Sequence, residues 1–325
     1  MLLDGCGRRI RYLRVSVTAH CNLQCRYCRP DTSGESNISS GPCLSDGEIV
    51  RLCRLLAAEG IERLRITGGE PLLRPGLCDL IGSLAAIRGI QDISLTTNGM
   101  LLRDHAWDLA AAGVRRINVS LDSLQESRFA EISGGGSLGA VLDGIAAAEE
   151  AGLRPVKLNC VVMRGMNDDE AADFALLTLR HSWHVRFIEL MPIGPAAGSW
   201  DRLFVPNSEV REKIAILGPL AAADSSVGAA RTEWQLAGAK GRLGFISPVS
   251  EPFCASCDRL RLMSSGELRP CLCADLSADL GSLIAAGASD SELLEAVRGV
   301  LRDKPLCGIA ELARPGETLM AAIGG

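Results

Sequence analysis

Short apolar runs alternate with longer amphipathic segments between residues 11 and 190. The short runs are rich in β-branched residues, which is typical of buried strands. The longer segments repeat their apolar residues at helical spacing, as Ile49, Leu52, Leu55 and Leu56 do. This alternation predicts repeated strand–helix units packed around a parallel sheet.

The pattern predicts six strands and five helices. The strands cover residues 12–17, 63–67, 92–96, 116–120, 156–161 and 185–189, and the helices cover 46–59, 76–87, 104–111, 138–151 and 168–179. Six units are too few to close an eight-stranded barrel. We therefore expect an α/β fold: an open, partial TIM-type barrel over residues 1–195, and a C-terminal extension over residues 196–325.

In parallel α/β folds, ligands bind at the carboxyl ends of the strands. Polar or glycine-rich segments occur at this end of nearly every predicted strand. They are the cysteine-rich segment 21–28, Gly68-Gly69-Glu70-Pro71, Thr97-Asn98-Gly99, Ser120-Leu121-Asp122 and Met191-Pro192, while the fifth strand carries Lys157 and Asn159. Their common position predicts one functional site at this edge of the sheet.

The most informative of these segments contains Cys21, Cys25 and Cys28 in a C-x3-C-x2-C run, with Tyr27 before the third cysteine. A four-iron cluster usually takes four thiolates, so three leave one iron open for a small molecule. Zinc is an alternative, although structural zinc sites favour paired C-x2-C units, and simple buried thiols are another. The odd total of 13 cysteines does not favour a disulfide framework and indicates a reducing compartment.

A second incomplete set of ligands lies near the C-terminus. Cys254, Cys257 and Cys271 form C-x2-C-x13-C. Cys273 is an alternative third ligand, or a fourth ligand that would close the site, and the spacing favours Cys271. A zinc ribbon would require a second C-x2-C pair.

Basic residues accompany this second set. Arg259 and Arg261 share one face of an extended segment and suit an anionic, planar ligand. Arg14, Arg65 and Lys157 are placed on predicted barrel strands, where buried cations are costly unless they are paired with negative charge. A polyphosphate would supply that charge.

Charge and hydropathy exclude other classes of protein. The net charge of −5 argues against a general nucleic-acid binder. No apolar stretch approaches the roughly 20 residues that a membrane helix needs. We therefore expect a soluble, cytoplasmic protein.

The first cysteine run followed by Gly-Gly-Glu-Pro resembles the radical S-adenosylmethionine (SAM) superfamily. The resemblance implies a [4Fe–4S] cluster that binds SAM on its open iron and cleaves it to a 5′-deoxyadenosyl radical. It also implies that Gly68-Gly69-Glu70 meets the SAM amino group, through a close backbone approach and a carboxylate. The SAM contacts would come from Tyr27, Gly69, Ser120 and Met191.

Over nearly its whole length the chain resembles the GTP 3′,8-cyclase family, which acts in molybdenum cofactor biosynthesis. The resemblance rests on segments 14–18, 65–71, 95–99, 116–122, 165–168 and 186–189, on the Cys254/Cys257/Cys271 spacing, on Arg-x-Arg and on the terminal Gly-Gly. It implies a second [4Fe–4S] cluster on those three cysteines, whose open iron would bind guanine. Ala19-His20 departs from the Asp-Arg that often precedes the first cysteine in this family.

The resemblance also implies residue roles and partners. GTP would be bound by Arg14, Arg65, Thr96, Lys157, Arg259, Leu260 and Arg261, and Arg259, Arg261, Gly324 and Gly325 would be catalytic. The product would be 3′,8-cyclo-7,8-dihydro-GTP, used by a downstream cyclic pyranopterin monophosphate synthase. A flavodoxin- or ferredoxin-type electron donor and a homodimer are further expectations.

Two other functions are compatible with parts of this pattern. A radical SAM peptide-modifying maturase would share the first run but usually carries more C-terminal cysteines. A zinc-stabilised binding protein would explain the cysteines but not Gly-Gly-Glu-Pro. Besides Cys273, six cysteines have no predicted role, and most are expected to pack as small hydrophobic residues: Cys6, Cys43, Cys53, Cys78, Cys160 and Cys307.

Overall fold

The computed structural model describes residues 1–29, 43–223 and 232–311. Six parallel strands follow one another in chain order within a single sheet. They are β1 (Tyr12–Ser16), β2 (Arg63–Thr67), β3 (Asp92–Thr97), β4 (Arg116–Ser120), β5 (Val156–Val162) and β6 (His184–Glu189). All six predicted strands are thereby confirmed, each to within one residue of its predicted ends.

Helices connect these strands on the outer side of the sheet. They are α1 (Asp46–Ala58), α2 (Leu77–Ala85), α3 (Leu102–Ala111), α4 (Glu126–Ser133), α5 (Leu138–Glu150) and α6 (Ala171–Arg180). Five correspond to predicted helices. The pattern missed α4 because Phe129 and Ile132 are the large apolar residues that it buries, too few to show helical spacing.

The C-terminal region extends the same sheet. Its elements are α7 (Trp200–Leu203), α8 (Asn207–Ala215), β7 (Leu220–Ala222), β8 (Thr232–Leu236), β9 (Arg242–Ile246), β10 (Arg259–Leu262), β11 (Glu267–Arg269), β12 (Ala278–Asp279), α9 (Leu280–Ala285) and α10 (Asp290–Arg302). β9 runs parallel to β6, and β10 runs parallel to β1. The order is therefore β10-β1-β2-β3-β4-β5-β6-β9, with antiparallel strands beyond both ends.

The described sheet is open, as predicted, because its margins are formed by β12 and β7. The predicted domain boundary at residue 195 falls between two regions that contribute strands to the same sheet. This division into two domains stays a prediction.

Side chains alternate between the two faces of the sheet. Leu13 of β1 and Leu64 of β2 are fully buried in an apolar cluster with Leu52 of α1. Arg14 and Arg65 occupy the next positions and pair across the two strands. The outer face therefore forms the hydrophobic core, and the inner face is the polar surface that we call the lumen.

Within the described parts of the chain, no helix is both long enough and apolar enough to cross a bilayer.

Candidate active site

Two groups of cysteines lie at opposite ends of the parallel strands, one at the carboxyl end and one at the amino end. The first cysteine group (Cys21, Cys25 and Cys28) follows the carboxyl end of β1, whereas Cys257 lies just before the amino end of β10. The two strands run parallel, with Tyr12 paired to Arg259 and Arg14 to Arg261. A five-residue strand at 3.3 Å per residue spans about 16 Å, so the strands themselves set the separation of the two groups.

The loop of the first cysteine group is anchored by its backbone. The amide of Gln24 donates to the carbonyl of Ser133, and the amide of Arg26 donates to that of Ile132, both at 3.0 Å. The Arg29 guanidinium donates to the carbonyl of Ala19 at 3.1 Å, which ties the end of the loop to its beginning. The three thiols are thus held in one short, fixed segment.

Burial raises the pKa of all three thiols, and that of Cys28 reaches about 12. Nucleophilic cysteines usually have a lowered pKa, so this environment does not activate a thiol by itself. A bound cation would favour the thiolate form, and the group therefore fits a metal cluster. Among the described residues, no three His, Cys, Asp or Glu side chains converge on one metal-ion position. A four-iron cluster takes one thiolate per iron and uses ligands set farther apart.

The Gly68-Gly69 pair allows two loops to pack closely. A Cβ atom on Gly69 would lie 2.2 Å from the carbonyl oxygen of His20, and one on Gly68 would lie 2.8 Å from that of Thr18. The amides of Gly69 and Glu70 donate to the carbonyls of Thr18 and His20, both at 2.7 Å. The sequence predicted that these glycines let the backbone approach a ligand. In this structure they let it approach the backbone that leads into the first cysteine group.

The Glu70 carboxylate holds the ends of β2 and β3 together. It accepts hydrogen bonds from the Thr97 hydroxyl and the Asn98 amide at 2.7 Å, and from the Leu72 amide at 3.1 Å. Burial raises the pKa of Glu70 to about 7, although these hydrogen bonds oppose the shift. Both carboxylate oxygens therefore serve to shape the site.

Two residues beside the first cysteine group were not singled out from the sequence. The Asn98 amide nitrogen donates to Asn22 at 2.7 Å and lies 3.9 Å from the sulfur of Cys21. Asp122 accepts a hydrogen bond from the Tyr27 hydroxyl at 2.8 Å. Both residues belong to the segments that follow strands, which was the available signal.

The predicted SAM contacts lie around this end of the sheet. Tyr27 is held by Asp122 and packs against a small apolar cluster that includes Met163 and Leu190. Ser120 closes β4, and Met191 follows the carboxyl end of β6. Their shared edge is consistent with one binding site there.

A row of three arginines crosses the lumen. Arg14 of β1 pairs with Arg261 of β10 on one side and with Arg65 of β2 on the other. Burial, followed by the charges of Arg261 and Arg65, lowers the pKa of Arg14 well below its usual value. Burial and the charge of Arg259 lower the pKa of Arg261 to about 10. This crowding of cations favours the binding of a multiply charged anion.

The next row contains Tyr12, which sequence analysis did not select. The guanidinium groups of Arg63 and Arg65 lie 5.2 and 5.5 Å from the centre of its ring. Arg63 also forms an ion pair with Asp258. Arg259, in the same row, lies 5.0 Å from the ring of Phe253. The aromatic rings thus help to arrange the cations.

Of the other predicted GTP contacts, some lie on the lumen strands and one lies in the hydrophobic core. Thr96 and Lys157 lie on lumen strands, and both pair with Asn118 of β4. The Thr96 hydroxyl and the Arg65 Nε are buried without a hydrogen-bond partner among the described atoms, as expected of groups that await a polar ligand. Leu260 is fully buried in the apolar core, so its side chain does not line the lumen. Gly324 and Gly325 lie outside the described residues.

The second cysteine group contains five thiols: Cys254, Cys257, Cys271, Cys273 and Cys307. The amide of Cys273 donates to the sulfur of Cys271 at 3.4 Å. Cys307 is brought beside them by Gly308, where a Cβ atom would lie 2.4 Å from the Cys271 sulfur. The donor set therefore suits a metal cluster. Besides the predicted three, it includes Cys273, which the spacing had offered as an alternative ligand, and Cys307, which had no predicted role. Of the other unassigned cysteines, Cys53 and Cys160 are buried in the core as expected, whereas Cys6 and Cys43 are exposed.

Two basic residues fix the backbone around the second cysteine group. Lys304 donates to the carbonyls of Arg259 at 2.7 Å and Cys257 at 3.3 Å. Arg8 donates to the carbonyls of Cys254 at 2.6 Å and Pro305 at 2.7 Å. Segments that are distant in sequence are thereby locked together around the thiols.

An open parallel barrel with a three-cysteine loop after its first strand defines the class of the radical SAM enzymes. Residues 15–178 match the Radical SAM superfamily, and residues 183–307 match the family described as Molybdenum Cofactor Synthesis C. Streptococcus suis SuiB, in a crystal structure bound to S-adenosylmethionine, has the same fold with a TM-score of 0.61 at 13% identity. That likeness covers 90% of this chain and 68% of SuiB.

Curated relatives are much closer in sequence. The GTP 3′,8-cyclase of Thermodesulfovibrio yellowstonii is 43% identical over 99% of both chains, and that of Pelotomaculum thermopropionicum is 46% identical over 93% of both. This chain therefore belongs to the GTP 3′,8-cyclase family of radical SAM enzymes. The predicted class, family and fold are confirmed, and SAM and an iron–sulfur cluster are the cofactors of this family of enzymes.

Proposed function

We propose that this chain converts GTP into (8S)-3′,8-cyclo-7,8-dihydroguanosine 5′-triphosphate, in the first step of molybdenum cofactor biosynthesis. The observation that supports this most directly is the buried arginine row between two groups of cysteines at opposite ends of one sheet. An enzyme for a nucleoside triphosphate needs a cationic surface for its phosphates and a separate contact for its base. The arginine row supports the first contact, and the second cysteine group supports the second.

The arginines bind the triphosphate. Arg14, Arg65 and Arg261 present guanidinium groups from three adjacent strands, and Arg259 lies two positions before Arg261 on β10. Guanidinium groups match phosphate oxygens with paired hydrogen bonds. A bound anion reduces the electrostatic repulsion between these guanidinium groups. The arrangement of the arginines therefore favours the binding of a polyphosphate.

The two ends of the lumen bind different groups. The first cysteine group holds a [4Fe–4S] cluster, and Tyr27, Gly69, Ser120 and Met191 contact SAM, which supplies hydrogen-atom abstraction when bound. The second cysteine group holds a second [4Fe–4S] cluster through Cys254, Cys257 and Cys271, and guanine binds there. In this proposal GTP is fixed at both its phosphates and its base, with its ribose toward the SAM end of the lumen. Fixing both groups reduces the entropic cost of cyclisation. The terminal Gly324 and Gly325 complete the site in this proposal.

The proposal is tested by turnover of anaerobically reconstituted protein with SAM, a low-potential reductant and GTP. We expect GTP to be consumed and the cyclic product to form together with 5′-deoxyadenosine. Iron analysis of the same sample should give about eight irons per chain. Formation of 5′-deoxyadenosine without consumption of GTP would exclude the cyclase activity, and four irons would exclude the second cluster. A flavodoxin- or ferredoxin-type donor would be identified by replacing the chemical reductant in this assay.

A further inference from the structure

Asp122 is a buried carboxylate that has no predicted contact with SAM or GTP. It lies just beyond the carboxyl end of β4 and is only 5% exposed. One carboxylate oxygen accepts a hydrogen bond from the Tyr27 hydroxyl at 2.8 Å, and the other accepts one from the Val161 amide at 2.8 Å. A buried carboxylate requires such partners. One partner here belongs to β5, and the other belongs to the first cysteine group.

The backbone of Asp122 is fixed as firmly as its side chain. The Asn167 side-chain amide donates to the carbonyl of Asp122 at 2.7 Å and to that of Val161 at 2.9 Å. The side-chain oxygen of Asn167 accepts a hydrogen bond from the Met163 amide at 2.7 Å. Asp122 is therefore attached both to β5 and to the turn that follows β5. Its carboxylate offers the tyrosine a rigid acceptor.

Tyr27 stands at the other end of this hydrogen bond, within the turn from Cys25 to Cys28. The Cys28 amide donates to the carbonyl of Cys25 at 2.9 Å, which closes this turn. The hydroxyl is the only polar atom of the Tyr27 side chain, and its partner is Asp122. The hydrogen bond therefore connects the turn that carries two predicted cluster ligands to the sheet.

This single hydrogen bond joins segments that are predicted to surround SAM. Asp122 lies two positions after Ser120, and the Tyr27 ring packs against the apolar cluster that includes Leu190, the residue before Met191. We propose that Asp122 is a positioning residue for the SAM site, which acts by holding the Tyr27 hydroxyl. The inference rests on the SAM contacts of the proposed function.

The test measures SAM affinity by anaerobic equilibrium dialysis of the reconstituted protein, without GTP. Segments that are held in place before the ligand arrives lose less conformational entropy on binding. Tyr27→Phe keeps the ring and removes the hydroxyl, so we expect it to weaken SAM binding roughly tenfold. Asp122→Ala should weaken binding at least as much. Asp122→Asn retains a group that can bond to the hydroxyl and should restore most of the affinity.

A double variant shows whether the two residues act together. If Asp122 acts through the Tyr27 hydroxyl, the combination of Tyr27→Phe with Asp122→Ala binds SAM no more weakly than Asp122→Ala alone. Additive losses would overturn the inference, because Asp122 would then act independently of Tyr27. Tyr12→Phe is the matched control, since the hydroxyl of Tyr12 is buried without a hydrogen-bond partner among the described atoms. It should leave SAM affinity unchanged.

Iron content of the same samples separates SAM binding from assembly of the cluster. We expect Tyr27→Phe to contain as much iron as the unsubstituted protein. Loss of iron from this variant would overturn the inference, because the hydroxyl would then be required for the cluster itself. Failure of the unsubstituted, iron-loaded protein to bind SAM would instead refute the proposed function. Since the dialysis contains no GTP, its outcome does not depend on the cyclase activity.

Discussion

Arg259 and Arg261 link the two halves of the candidate site. They follow the Cys254–Cys257 turn directly, and their alternate positions on β10 place both side chains on the lumen face. The Arg261 side chain is buried, and its low pKa reflects burial and the nearby charge of Arg259. Neither residue anchors the core, since the intervening Leu260 has that role.

We predict that Arg259→Ala and Arg261→Ala each lose GTP turnover while keeping both clusters. A charged hydrogen bond contributes about 1.5–3 kcal/mol, so each loss should weaken GTP binding by roughly ten- to a hundredfold. GTP consumption and iron content are measured on the same samples. Arg103→Ala, which removes an exposed ion pair with Asp143, is the control and should retain activity. Normal turnover in either lumen variant would show that the residue is not a substrate contact.

At the scale of elements, the N-terminal segment acts as a clamp on the second cysteine group. Asp4 accepts a hydrogen bond from Arg8 at 2.6 Å, and Arg8 in turn donates to the carbonyls of Cys254 and Pro305. The loop before β10 is thereby attached to residues near 8 and near 305. Arg8 bonds to the backbone of Cys254 and thereby positions the loop that carries the ligands.

We predict that Arg8→Ala loosens the second cysteine group and leaves the first intact. Iron content should fall from about eight toward four per chain, because the protein retains the SAM cluster alone. Cleavage of SAM in the absence of GTP should continue, and this separates a local effect from global unfolding. Arg9→Ala, which affects an exposed ion pair with Glu62, is the matched control. Equal iron content in the two variants would refute the clamp.

At the scale of the molecule, cations line the lumen from two sides, with Arg14 and Arg65 on β1 and β2 and Lys157 and Arg186 on β5 and β6. The pKa of His184 on β6 depends on the charges around it, because His184 pairs with Lys157 of the neighbouring strand and lies near Arg186 and Arg242. Burial, followed by the charge of Lys157, lowers the pKa of His184 to about 4, and Glu233 opposes this shift. The imidazole is therefore neutral at pH 7.

We predict that inorganic triphosphate raises the pKa of His184. An anion in the lumen offsets the neighbouring cations and favours the protonated imidazole, and a shift of about one unit corresponds to 1.36 kcal/mol of interaction. The chain has four histidines, so their imidazole signals can be followed individually by NMR titration. His184→Gln identifies the signal, and the other histidines serve as internal controls. An unchanged His184 pKa at saturating triphosphate would place the anion outside the lumen.

Much of the barrel was predictable because its signals are local. The strands alternate buried apolar residues with polar residues of the lumen, as in Arg63–Thr67, and a parallel sheet requires the intervening helices. By contrast, β9 and β10 join the sheet edges across gaps of many residues, next to β6 and β1. The roles of Asn98, Tyr12 and Arg8 also went unpredicted, since each depends on a partner that sequence spacing does not reveal.

The sequence by itself determined the strand–helix repeat, the two cysteine sets and the family of this protein, because these are carried by short contiguous motifs. Only the tertiary structure decided that the two sets lie at opposite ends of the parallel strands, that a buried arginine row lies between them, and that the segment of Cys307 packs beside the second set. The physical reason is that strand pairing and side-chain packing bring together residues more than 200 positions apart, such as Arg14 and Arg261.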